Sequence, residues 1–158
     1  MGLLARKYPA LAAVLGSVSP EQRERFEQYR ARVFPEQPAW AELEKKLLAV
    51  GGEAIVFVFE EDIDKLLKRG KSYKAAGLKR MAGPPSRCHS NTAALWEANA
   101  DKGLKIVSGW ALGDDGLWRQ HTWGFWKGKV IETTVPSEAY FGYELTDPES
   151  KLFAAENY

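Results

Sequence analysis

The 158-residue chain has a single cysteine, Cys88, only two histidines, His89 and His121, and a net charge of only +1. One cysteine excludes an internal disulfide, and it fits a reducing compartment. Two histidines leave few ways to build a metal site or a proton relay. The near-neutral charge gives bulk electrostatics no preference for nucleic acid or an anionic membrane. No apolar run approaches the length of a membrane span. The opening MGLLARKYPALAAVLGS has a basic start and a short apolar run, but a proline precedes that run and no cleavage pattern follows. Arg6 stands where a myristoylation signal needs Ser or Thr. The expectation is one domain over residues 1–158, cytoplasmic and without a membrane partner, long enough to enclose a core.

The richest stretch runs from Pro84 to Thr134, which holds the cysteine, both histidines and five of the six tryptophans. Ahead of it the chain reads as helical over residues 1–53. A first helix would use Leu3, Leu4, Leu11, Val14 and Leu15. A second begins at Ser19, whose spacing to Gln22 makes a capping box with Pro20 in the first turn. A third places Trp40, Leu43, Leu47 and Val50 at helical spacing and stops at Gly51. AIVFVF, residues 54–59, reads as a buried strand, and EEDIDKLLKRG as a short helix with acids first and bases last.

Residues 65–87 carry eight bases and no acid, whereas residues 132–158 carry six acids and one base. The basic stretch suits an acidic partner, or the two stretches face each other or water. Without interleaved aromatics, nucleic acid is not expected as a partner. GKS at residues 70–72 is no phosphate loop, because Lys65 stands where that motif needs glycine.

CHSNTAALWEANADKG then reads as a helix ending near Gly103, with Pro84, Pro85 and a possible cap at Ser86 before it. LKIVSGWAL, LWRQHTWGFW and KVIETTV follow as antiparallel strands joined by turns at GDDG and KG. AYFGYEL reads as a fourth strand in a meander, and the last residues as a short helix. The fold class is α+β: N-terminal helices, then an antiparallel sheet packed on a central helix that starts near Cys88.

Cys88 at a helix start would have its thiolate favoured by free N–H groups and by Arg87. Taken alone it reads first as a core residue, sharing a face with Thr92, Leu95 and Trp96. His121 lies in an apolar strand and needs a partner for its ring. If Lys127 and Gly128 form a two-residue turn, Trp126 pairs with Lys129, and Glu132 falls diagonal to His121 on the same face. A three-residue turn would put the two on opposite faces. Otherwise Glu132 solvates a sheet edge. Together Cys88, His121 and Glu132 make a nucleophile, a base and an orienting acid. Helix-start N–H groups, with Asn91 or Gln120, would serve an oxyanion, and Trp123 would form a substrate wall. His89 should point away from Cys88, because successive helical side chains diverge by about 100°.

CHSNTAALW, HTWGFW and VIETT together resemble the papain-like fold in its transglutaminase-like form. The resemblance places a catalytic core over residues 84–145, with Cys88 as nucleophile, His121 as base and Glu132 as third member. It implies acyl transfer through a cysteine thioester, with a protein, peptide or amide substrate and no cofactor. Glu132 and Thr133 stand where that family has Asp, often followed by Pro. Two other readings stay open: a catalytically inactive domain that binds a partner, and a zinc site built from Cys88, His121, Glu132 and His89. No paired-ligand spacing supports the zinc site.

Overall fold

The structure is a computed structural model that describes residues 18–58 and 60–158. The helix expected over Leu3–Leu15 lies outside the described residues. Helix α1 (Pro20–Val33) begins with the expected capping box: Ser19 Oγ accepts from the Gln22 N–H, and the Gln22 side chain accepts from the Ser19 N–H. Its side chains are nowhere fully buried. Its tie to α2 (Pro38–Val50) includes a 2.6 Å contact from Arg30 Nε to Glu44. Helix α2 buries Trp40, Leu43 and Leu47, one stripe of a 3.6-residue period, and ends at Gly51. Val50, expected on that stripe, is exposed.

Of the expected strand over residues 54–59, the described residues 54–58 form only its start. Only Ala54–Ile55 forms strand β1, parallel to the start of β5 (Leu117–Trp126). Beyond Ile55, Phe57 turns into an aromatic cluster with Phe26, Tyr29, Phe34 and Trp40, its centroid 4.6 Å from that of Tyr29. Packing against the two helices outweighs the local β preference. The short helix α3 (Ile63–Arg69) follows as expected.

Strands β2 (Lys71–Tyr73), β3 (Lys79–Arg80), β4 (Lys105–Leu112), β6 (Lys129–Glu132) and β7 (Ala139–Glu144) complete a sheet ordered β2-β7-β4-β5-β6-β3. Its five-stranded body, β2 to β6, is antiparallel; β3 joins β6 in parallel and β1 joins β5 in parallel. The meander expected for the last strand is not what forms. Strand β7 pairs with β4, Gly109 opposite Gly142, because β3 takes the far edge of β6.

The sheet has to curl. Strands β2 and β3 lie at its opposite edges, yet only residues 74–78 separate them in the chain. Such a link reaches at most roughly 20 Å. Five inter-strand gaps laid flat would need about 24 Å. Inside the curl lie Tyr73, Val107, Ala111, Trp123, Val130 and Tyr140, capped by Ala75 and Leu78 of the link. The outer face, with Ile106, Trp110 and Trp118, packs on α2, α4 (Cys88–Asn99) and α5 (Asp147–Asn157). The fold is therefore α+β, with helices first and a central helix against the sheet.

The two charge-biased stretches meet in part. Lys65 and Arg69 both pair with Glu149, at 3.1 and 2.9 Å, and Lys71 lies 3.9 Å from Glu144.

Candidate active site

The site forms where strand β5 changes partner along one edge. One edge of β5 pairs with β4 from Trp118 to Phe125. The other edge is shared: β1 takes Leu117 and Trp118, and β6 takes Gly124 to Trp126. Between those two partners lies the stretch 119–123, with His121 at its middle. The start of α4 approaches here, and Thr92, one turn beyond Cys88, donates a 3.4 Å hydrogen bond to the Thr122 carbonyl.

The hairpin fixes the acid. Lys127 and Gly128 both have positive φ, 50° and 74°, the signature of a two-residue type I′ turn. Trp126 then pairs with Lys129 and Gly124 with Ile131, the expected register. Past Ile131 the strands splay, and the Glu132 carboxylate swings to His121 Nε2, 3.0 and 2.9 Å from its two oxygens. Glu132 is wholly buried. It also accepts from the Thr134 N–H and hydroxyl, both at 3.0 Å, and from the Tyr140 hydroxyl at 2.8 Å. The Ser137 N–H donates to the Tyr140 oxygen at 2.9 Å, which fixes the hydroxyl toward Glu132. Four donors on one buried carboxylate make it an acceptor-only anion with no need of a proton.

Titration follows from these contacts. Burial pushes the Cys88 thiol up, but hydrogen bonds to His121 and His89, with their positive charge, outweigh it and bring it from 9.0 to about 6. Burial likewise pushes His121 down. Hydrogen bonds to Cys88 and Glu132, with both negative charges, reverse that and raise it from 6.5 to about 9. For Glu132, burial acts upward and is overcome by His121, Thr134 and Tyr140, which hold the carboxyl below 4.5. Between about pH 6 and 9 the pair is therefore a thiolate and an imidazolium.

Several expected details differ. Ser86 does not cap α4. It has φ of 59°, the N-cap is Arg87, and no side chain bonds to the first turn. Cys88 occupies the first helical position and is half-buried. His89 does not point away: its Nδ1 lies 3.6 Å from Cys88 Sγ, and its ring tilts against Phe153 of α5 at 5.7 Å. At the first turn a side chain can fold back beside the helix end, where no preceding turn blocks it. Asn91 donates to the Pro84 carbonyl at 2.8 Å, tying down the segment before α4. Gln120 donates to Glu60 at 2.8 Å. Trp123 is no substrate wall. It is fully buried inside the curl and stacks at 6.0 Å under the His121 ring, so it sets the plane of the imidazole.

Sequence reasoning missed Tyr140 and Thr134 as supports of the acid. Thr134 follows two residues after Glu132, a local side-chain turn that ETT hints at. Tyr140 comes from a strand whose position the sequence misassigned. A cleft of about 270 Å³ opens on this side, lined by Ala111, Arg119, Gln120, His121, Val135 and Pro136. Among the described residues, no group of three or more His, Cys, Asp or Glu is placed to hold a metal ion. No described helix is long and apolar enough to cross a membrane.

Set against protein-family models, curated proteins and solved structures, the chain matches none of them.

Proposed function

We propose that the protein is a cysteine-dependent acyl-transfer enzyme, with Cys88 as nucleophile, His121 as general acid and base, and Glu132 as the orienting acid. One observation carries this reading: His121 is held on Nε2 by a buried, fully bonded carboxylate, and its ring lies near enough to the thiol at the start of a helix for each group to favour the charged form of the other. A carboxylate retained at such desolvation cost needs a cationic partner, and an imidazolium beside a thiolate is that partner. The Cys–His–acid order and the helix–strand–hairpin context support a place in the papain-like, transglutaminase-like superfamily. A nucleophilic thiol also favours a reducing location such as the cytoplasm.

In the proposed reaction the Cys88 thiolate attacks the carbonyl carbon of an amide, and the carbonyl π electrons move to oxygen. The uncapped N–H groups of the first turn of α4 lie where they can stabilise that oxyanion. As the tetrahedral intermediate collapses, the C–N bond breaks and the departing nitrogen takes a proton from His121. Nε2 is committed to Glu132, so Nδ1 is the nitrogen that gives it. A thioester and a neutral imidazole remain. Water or an amine then attacks the thioester, loses its proton to His121 and expels the thiolate, restoring the ion pair. Throughout, Glu132 keeps the Nε2–H tautomer and does not itself change protonation.

Trapping the acyl-enzyme tests this. With p-nitrophenyl acetate the protein should release a burst of nitrophenol equal to one site per chain. Acid-quenched protein should carry an acetyl group on Cys88, and Cys88→Ala should show neither. A thiol acylated no faster than free cysteine sinks the proposal.

A further inference from the structure

We propose that the open edge of strand β3, with the segment that runs from it to Cys88, is the docking strand for an extended acidic peptide, the substrate of the site. The inference rests on the acyl-transfer reading and names its substrate class.

Strand β3 is the last strand of the sheet, and among the described residues nothing pairs with its outer edge. The chain continues alongside β6 past the end of the strand: the Met81 N–H donates to the Glu132 carbonyl at 2.8 Å and the Gly83 N–H to the Thr133 carbonyl at 2.9 Å. Because backbone groups alternate sides in extended chain, Arg80 and Ala82 turn their N–H and C=O outward. Unpaired outward groups on an exposed edge are the template that an incoming strand completes. The run from Lys79 to Ala82 is exposed throughout. It ends within a few residues of Cys88 and lies against the backbone of Glu132.

The side chains around this edge set the charge of the partner. Of the bases in the cationic stretch, Lys65, Arg69 and Lys71 are consumed by Glu149 and Glu144 at the other side of the sheet. Lys79, Arg80 and Arg87, together with Lys129 beside the Gly77 turn, make no ion pair among the described residues. Arg80 bonds instead to the Thr134 carbonyl at 3.2 Å, which fixes it over the site. Four cations without carboxylates flank a free strand edge that leads to the thiolate. A peptide matches both features at once, main chain to main chain and carboxylates to cations. Nucleic acid would satisfy the charge but not the outward N–H and C=O pairs, and no aromatic among these residues offers a base-stacking platform.

The test uses three cysteine-reactive peptidyl acyloxymethyl ketones of equal length, flanked by two glutamates, two alanines or two lysines, with iodoacetamide as a reagent that needs no docking. The acidic probe should label Cys88 at least tenfold faster than the neutral one, and the lysine probe slowest. Raising salt from low to high should shrink that preference. N-methylating the acidic probe's backbone should also remove most of its advantage. In Lys79→Glu/Arg87→Glu, with Arg80 left in place, the ratio of acidic to lysine labelling should invert. Fast iodoacetamide labelling with equal rates for all three probes overturns the docking strand but leaves the acyl-transfer reading standing. Slow iodoacetamide labelling overturns that reading itself. Protection of Cys88 by single-stranded RNA, with no preference among the peptides, assigns the surface to nucleic acid and overturns the proposal.

Discussion

Replacing His121 by alanine should change the pH dependence of the Cys88 thiol more than its rate at any single pH. In the native site the thiol ionises near 6, and without His121 it returns toward its ordinary 9.0, since burial remains and only His89 still favours the thiolate. At pH 7 the thiolate fraction falls from about 0.9 to about 0.01, a loss of roughly 90-fold. A more basic thiolate is also a better nucleophile. With a Brønsted coefficient of about 0.45, a thousandfold drop in acidity returns roughly 20-fold in intrinsic reactivity. Attack on a small aromatic disulfide should therefore be only about 5-fold slower in the variant at pH 7 and about 40-fold slower at pH 5. The two profiles should cross at about pH 8, with the variant faster above it. The assay is the second-order rate from pH 4.5 to 10, with thiolate absorbance near 240 nm titrated in parallel. Circular dichroism on both proteins confirms that the fold is retained. A wild-type midpoint near 9, or a midpoint near 6 that survives in folded His121→Ala, refutes the ion-pair argument.

Other outcomes follow from the same contacts. His89→Phe should raise the thiol midpoint by less than His121→Ala does, because His89 ranks behind His121 among the groups that favour the thiolate, and absorbance titration measures both. Glu132→Ala should cost about 3–5 kcal/mol in urea unfolding, since it strands the buried donors of His121, Tyr140 and Thr134. The Glu132 carboxyl is depressed in the folded state, so its contribution is present above 4.5 and lost as pH falls through the lower folded value. The melting temperature of wild type should accordingly drop more steeply from pH 6 to 3 than that of Glu132→Gln. Tyr140→Phe should cost about 1.5–3 kcal/mol, the range for a hydrogen bond to a charged group, and calorimetry should register it. Inserting one glycine between Lys127 and Gly128 should lower the pH at which the His121 ring loses its proton, read by NMR titration, because a one-residue slip carries Glu132 to the opposite face.

The sequence determined by itself whatever depends on neighbours along the chain. The Ser19 capping box, the Trp40–Leu43–Leu47 stripe, the alternation that puts His121 and Trp123 on one face, and the two-residue turn all follow from local periodicity and turn chemistry. The His121–Glu132 contact was legible for the same reason: eleven residues and one tight turn separate the pair, and the turn sets the register. What crosses the chain was not legible. Phe57 left its strand for a cluster of four aromatic neighbours, and β7 joined β4 rather than β6. That placement brought the Tyr140 hydroxyl onto Glu132. The meeting of Cys88 with His121 needed tertiary structure above all. It depends on the stretch of β5 between two unrelated partners, β1 and β6, and on Thr92 drawing α4 to the Thr122 carbonyl. Sequence patterns report which face a side chain takes; only packing decides which distant element fills the space that face looks into.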